Sequence, residues 1–348
     1  MFKKCNLAIL IIIGGILFLG GCAKEEKEMP TSVEQEPQVV IDKSENEIEK
    51  EEIIVSPISG IDSDQETIQK RPFAVMFDNQ VKARPQAGLD QAEIIYEMLA
   101  EGNITRYMAI FLTGEPKLIG PVRSARPYFI NKAMEYDALY IHDGGSPQAL
   151  EDIVNFKIAD ISAQSRDQSI FWRKSHKSRP HNEYTSTNAI RKAAMQSRYR
   201  EQVTFDTLKF NKKDQSIGGD QLGKIVIPYS KDYKVSFVYD EDAMVFYRYI
   251  NDQKHLDEES KKHLSAKNIM IQKVSTTVID NEGRIEIQLV GKGQGLYITN
   301  GQMKEVVWEK TSRRGITKFF YENGEEIDLN PGVTWMEVIP TNFECSIQ

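Results

Sequence analysis

ALYIHDGGSPQALEDIVNF, residues 138–156, changes character twice over a short span. Residues 138–142 are an apolar run of strand type. Asp143, Gly144 and Gly145 make a turn, and Ser146 followed by Pro147 supplies an N-cap and a first helical residue. Residues 148–156 then continue as a helix. A strand that hands the chain to a helix through a tight glycine turn is the repeating unit of an α/β layer.

The flanking sequence extends the same pattern. Residues 72–78, PFAVMFD, read as a buried strand that ends in Asp78 and Asn79. Between 92 and 100 the even positions are apolar, while Glu93 and Glu97 fall on odd ones. Gly102 and Asn103 follow, then an apolar run over 104–112, so this segment reads as a β-hairpin rather than a helix. Residues 117–122 are expected as a strand, 127–136 as a helix with Pro127 first, and 187–198 as a further helix after a basic loop over 166–184. These elements define an N-terminal α/β layered domain over residues 71–210.

Past a polar, glycine-containing joint at 211–223 the character changes. KIVIPYS, YKVSFVYD, MVFYRYI, TTVID, RIEIQLV, GLYIT, EVVWEK, TKFFYE and TWMEVIP are short β-rich runs parted by Asp, Asn and Gly. They predict a β-rich, mostly antiparallel C-terminal domain over 218–346. The fold class expected for the whole is therefore two-domain, mixing α/β and α+β character. The glycines at 291, 293 and 295 lie between two of these runs and read as a turn.

The N-terminus carries a different message. Lys3 and Lys4 precede an apolar stretch over 7–19 that ends in Leu19, Gly20, Gly21 and Cys22. A basic start, an apolar core and small residues make a secretory signal over 1–21. The small residues run straight into a cysteine, which resembles the bacterial lipobox. That resemblance makes Cys22 a lipidated first residue of the mature chain; the alternative is an uncleaved membrane anchor. Cys5 lies in the signal, so Cys345 is the one thiol left for the body and no internal disulfide is expected. Residues 22–70 hold dense like charge, scattered proline and few aromatics, and read as a disordered acidic tether. The formal net charge of −7 thus describes the leash more than the folded surface.

Arginine is concentrated in the N-terminal region, with eleven of fifteen between residues 71 and 200. Arg71, Arg84, Arg126 and Arg179 each precede a proline, which holds their backbone extended. Arg71 is expected to be an internal ion pair. Arg123 and Arg126 precede the helix that Pro127 opens, where the free N–H groups already attract negative charge. An anion resolves that repulsion. It is either internal (Glu97, Glu101 or Asp143) or a ligand. His142, Gly144, Gly145 and Ser146 form a second strand–loop–helix junction of the same type, and Arg106, Arg179 and His181 complete the candidate anion site. The five histidines lack zinc spacing, no Gly-x-Ser-x-Gly elbow is present, and Cys345 is a poor nucleophile candidate.

Several motifs together resemble the YerB-like bacterial lipoproteins. They are Pro72-Phe73-Ala74-Val75-Met76-Phe77-Asp78-Asn79, Arg84-Pro85-Gln86-Ala87-Gly88-Leu89, Glu101-Gly102-Asn103-Ile104-Thr105-Arg106, residues 120–127, Gly144-Gly145-Ser146-Pro147 and Pro180-His181-Asn182-Glu183-Tyr184. Pro331-Gly332-Val333-Thr334-Trp335 fits the second domain of that family. The resemblance implies a Gram-positive envelope lipoprotein of two domains, and no established activity comes with it. The N-terminal order of elements is also similar to the LytR–CpsA–Psr phosphotransferases. By position, Asp78 would then bind a divalent metal such as Mg²⁺, and Arg84, Arg123 and Arg126 would hold a polyprenyl pyrophosphate. The aspartate those enzymes carry after Pro-Arg is absent here, where the chain reads Pro121-Val122-Arg123-Ser124.

Three functions are compatible with this sequence. The first is a lipid-anchored binding or scaffold protein on the extracytoplasmic face of the cell membrane, recognising a phosphorylated wall or lipid precursor without a cofactor. The second is a divergent phosphotransferase or hydrolase. The third is a protein-interaction module for other envelope proteins. No nucleic-acid partner is expected.

Overall fold

The computed structural model describes residues 54–165, 168–206 and 208–348. The signal, Cys22 and most of the tether lie outside the described residues.

In chain order the main elements begin with α1 (Gln65–Gln69), β1 (Phe73–Asp78), β2 (Ile94–Leu99), β3 (Thr105–Phe111), α2 (Pro127–Glu135), β4 (Leu139–His142), α3 (Pro147–Asn155), β5 (Asp160–Ser162) and α4 (Thr187–Gln196). The chain continues through β6 (Lys224–Ser230), β7 (Tyr233–Asp240), β8 (Val245–Ile250), β9 (Asn268–Val274), β10 (Gly291–Thr299), β11 (Gln302–Lys310), β12 (Lys318–Phe320) and β13 (Thr334–Pro340). Helices are few, and the C-terminal region is built of strands in mostly antiparallel pairings.

One sheet runs through both regions in the order β12-β11-β10-β9-β13-β2-β3-β1-β4-β5. The last long strand, β13, lies parallel between β9 and β2, with Trp335 opposite both Ile269 and Ile95. A second sheet is built around β8-β7-β6. On one face of the large sheet Phe73, Val75 and Ile95 pack with Ile190 of α4 and with Ile225, Val235 and Phe237 of the second sheet. On the other face Ala74, Met76 and Tyr96 pack with Phe129 and Ala133 of α2. Strands buried on both faces lose the apolar–polar alternation of a half-exposed strand. That is why Glu93 and Glu97 lie inside despite their odd positions in β2 and its approach.

Three local expectations are corrected by the structure. Residues 54–70, assigned to the tether by composition, are ordered: Ile58 is fully buried, and the Ser56 and Ser59 hydroxyls donate to Glu93 Oε1 at 2.5 and 2.7 Å. Residues 117–122 make isolated bridges, through Ile119, Gly120 and Val122, instead of a ladder strand. Pro121 has no N–H to continue one. The glycines at 291, 293 and 295 stand inside β10. A Cβ on Gly295 would lie 2.3 Å from the Ile271 carbonyl, and one on Gly293 would lie 2.6 Å from the Trp308 indole nitrogen, so close packing explains these two glycines. The basic loop is seated on the body. Lys177 Nζ donates to the carbonyls of Ala83 and Pro85 at 3.0 and 2.6 Å, and His176 pairs with Glu258 at 2.9 Å.

Candidate anion site

Parallel strands leave a crevice beyond their carboxyl ends, which is where open α/β sheets place ligands. β1 and β4 are parallel neighbours, and Asp78 and His142 are their last residues. Asp78 is buried, and its backbone N–H donates to Pro121 O at 2.9 Å, which draws the 120–126 loop over the strand end. The neighbouring loop is tied down by Ala125 N to Gly144 O at 2.8 Å and Asp143 N to Arg123 O at 3.0 Å. One layer of loops therefore carries Arg123, Ser124 and Arg126 together with the 143–146 turn.

The candidate residues sort into two groups within this layer. In the first, Nδ1 of His181 donates to Asp78 Oδ2 at 2.7 Å, and Arg123 Nε lies 3.4 Å from the same oxygen. Asp78 Oδ1 accepts the Gln80 N–H at 3.0 Å, so both carboxylate oxygens are engaged. The Arg123 side chain keeps 24% exposure, and its terminal nitrogens donate to nothing among the described residues. Arg84 donates to the Asn79 carbonyl at 2.8 Å and side-chain Oδ1 at 2.9 Å and stacks over Tyr233 at 4.5 Å. It has no carboxylate partner among the described residues. Arg179, two residues before His181 in sequence, is exposed.

In the second group the anion is internal. Glu101 accepts from Arg126 through both oxygens, with Nη2 to Oε2 at 2.7 Å, and lies 3.4 Å from Arg106 Nη2. Burial alone would push the Glu101 carboxyl up, but Arg126 outweighs it and holds the carboxyl below its ordinary value. Arg106 donates to Ser124 O at 2.8 Å, and burial lowers its guanidinium to about 10. Of the three internal partners considered for Arg126, Glu101 is the one used. Glu97 is committed elsewhere: it accepts from Arg248 and, at 2.6 Å, from the Tyr233 hydroxyl.

His142, Gly144, Gly145 and Ser146 serve the fold. His142 is 1% exposed and bonded through Nδ1 to Gly144 O at 2.8 Å and through Nε2 to Asp160 at 3.1 Å. Gly144 takes φ +64 beneath Gln164, Gly145 bridges to Ala125, and Ser146 caps α3 by accepting from Ala149 N at 3.3 Å. Arg71 pairs with Asp137 at 2.5 Å, as expected for an internal staple. Sequence reasoning missed Asn79 as the support of Arg84 and Asp160 as the partner of His142, since neither pairing has a local signature. No group of three or more His, Cys, Asp or Glu among the described residues could hold a metal ion.

Residues 58–200 match the family model "Protein of unknown function (DUF3048) N-terminal domain", and residues 225–336 match the corresponding C-terminal domain. The chain belongs to this family. It is 33% identical over 295 residues to the Bacillus subtilis (strain 168) protein named "Putative lipoprotein YerB", covering 84% of this chain and 88% of that one. The crystal structure of YerB protein from Bacillus subtilis superposes with a TM-score of 0.78 at 32% identity, over 85% of this chain and 99% of the other. The two DUF3048 domains are thus present in order, and the large sheet passes from one into the other through the β13–β2 pairing.

Proposed function

We propose that this DUF3048 protein is a lipid-anchored envelope protein on the extracytoplasmic face of the cell membrane. It binds a phosphate-type anion at the corner formed by Arg123, His181 and Asp78. The lipobox-like Cys22 and the similarity to a protein named as a lipoprotein support the anchoring. The observation that carries the binding is the Arg123 guanidinium. It is half-buried beside a single shared carboxylate oxygen, and its two terminal nitrogens have no acceptor among the described residues. Arg84 and the exposed Arg179 add charge that Asp78 does not neutralise, and a planar guanidinium fork suits phosphate oxygens. Equilibrium titration with glycerol phosphate tests this. Saturable binding that weakens about tenfold or more in Arg123→Gln is expected, from the loss of one charge-assisted contact.

A second reading is favoured by the His181–Asp78 pair. An imidazole held at Nδ1 by a carboxylate, with Nε2 unpartnered among the described residues, is placed to take a proton from an attacking hydroxyl. Both Asp78 oxygens are engaged, which suits orientation of His181 better than ligation of Mg²⁺. Turnover of a pyrophosphate-linked polyprenyl lipid that disappears in His181→Ala would establish this reading; a lipid bound but unchanged would remove it.

A further inference from the structure

A cavity of about 660 Å³ lies between the starts of α2 and α3 and a short hairpin that follows β9, made of Thr276–Val278 and Ile285–Ile287. Every residue from 284 to 290 borders it, odd and even alike, whereas none of Thr276, Thr277 and Val278 does. Side chains of a strand alternate between its faces, so a strand lying face-on to a cavity would contribute every second residue. Consecutive lining means that the 284–290 segment meets the cavity with its edge.

That edge is unpaired. The hairpin is a two-stranded sheet of its own, with Thr276 opposite Ile287 and Val278 opposite Ile285. Gln288 N–H donates to Ser275 O at 3.0 Å and Ile279 N–H to Arg284 O at 2.8 Å, which puts the ladder bonds on the even residues of the second strand. In an antiparallel pair the residues between them turn their N–H and C=O outward. Ile285 and Ile287 therefore direct both groups to the cavity edge, and the N–H and C=O of Leu289 have no partner among the described residues. Ile287 is 6% exposed and Leu289 1%, and backbone groups so withdrawn from solvent are nearly always paired in folded chains. On the other strand Val278 is 65% exposed, so water serves the far edge.

The charges bordering the cavity set the chemistry of what can pair there. Arg126 is taken by Glu101 at 2.7 Å, Arg313 by Asp152 at 2.6 Å and Arg284 by Asp280 at 2.5 Å. Glu151 on α3 and Glu286 on the hairpin are exposed, without a cationic partner among the described residues. Glu286 alternates with Ile285 and Ile287, which pack into the apolar interior, so the strand has one acidic and one apolar face. Its complement is an extended segment with apolar residues on one face and basic residues on the other. From Ile285 to Leu289 the edge runs about 13 Å at 3.3 Å per residue, room for a segment of about five residues.

We propose that this groove binds an extended apolar and basic segment of a partner protein by strand addition. The segment's backbone pairs with Ile285, Ile287 and Leu289 as a third strand of the hairpin. Its apolar residues lie beside Ile285 and Ile287, and its basic residues meet Glu286 and Glu151. None of Asp78, Arg123 or His181 borders the cavity, so this site is separate from the anion corner.

Anisotropy titration of the full chain with fluorescein-labelled Val-Lys-Val-Lys-Val and Val-Glu-Val-Glu-Val peptides tests the assignment. Saturable binding of the lysine peptide is expected, with the glutamate peptide at least about tenfold weaker. N-methylation of the valine amides or of the lysine amides should abolish binding in one case and spare it in the other, because an added strand bonds through alternate residues. Hydrogen exchange in the complex should slow at the Ile285, Ile287 and Leu289 amides and stay unchanged at Thr276 and Val278. Glu286→Lys, at an exposed position, should weaken the lysine peptide roughly fivefold. Absence of saturable binding, equal binding of the two peptides, the same effect from both methylations, protection confined to Thr276 and Val278, or unchanged affinity in Glu286→Lys would each overturn the proposal.

Discussion

Nδ1 of His181 donates to Oδ2 of Asp78 across 2.7 Å, and Arg123 approaches the same oxygen at 3.4 Å. One carboxylate is thus shared between an imidazole and a guanidinium, neither of which has a further side-chain partner among the described residues. The second arginine of the same loop is treated differently: Glu101 meets Arg126 through both oxygens. The two arginines pose the same electrostatic problem at the start of α2. The fold answers it with a dedicated carboxylate at Arg126 and with the shared Asp78 oxygen at Arg123.

Glu101→Gln should cost about 3 kcal/mol of stability, because Arg126 and Arg106 would remain largely buried with no counter-charge. The native carboxyl is held below its ordinary value, so its contribution is present above the unfolded pKa of about 4.3 and is lost as pH falls through the folded value. Urea denaturation from pH 7 to pH 2 should show a shallower acid limb in Glu101→Gln than in the parent.

Glu337→Gln should act in the opposite sense. Burial, and then the neighbouring Glu97, push the Glu337 carboxyl well above its ordinary value, which favours the neutral acid in the native state. A raised carboxyl contributes fully below the unfolded pKa and progressively less as pH rises toward the folded value. Glutamine mimics the neutral acid, and its Oε1 can accept the Tyr229 hydroxyl, which now donates to Glu337 at 2.6 Å. The variant should be more stable than the parent by about 1–2 kcal/mol at pH 7 and no more stable at pH 3. Paired denaturation curves at the two pH values check this.

Gly295→Ala and Gly293→Ala should each lower stability by about 1–3 kcal/mol, since the new methyl group meets the Ile271 carbonyl in one case and the Trp308 indole in the other. Gly223→Ala, where the nearest atom would be 3.5 Å away, is the control and should be close to neutral. Thermal melts of the three variants distinguish glycines required inside a strand from glycines of a free turn, which would tolerate all three changes.

What could be read from the chain follows the range of the physics involved. β1, the helix starts at Pro127 and Pro147 and the Gly102–Asn103 hairpin are set by neighbours in sequence, and each was legible there. β9 was not. Asn268–Val274 is buried at every position except Lys273, so it shows no alternation, and its central place comes from pairing with β10 and β13. The site divides in the same way. The requirement for an anion near Arg126 is local, and it was visible. The choice of Glu101, and the meeting of Asp78 with His181 from 103 residues away, are tertiary facts with no local trace.

The most direct test of the account follows the His181 imidazole resonances by NMR while glycerol phosphate is added. Arg123 and His181 share Asp78 Oδ2, so an anion on Arg123 should shift the His181 signals saturably. His142, locked between Gly144 and Asp160, should not move. The shift should vanish in Arg123→Gln. A His181 signal that stays still, or one that moves equally in parent and variant, would contradict the anion site.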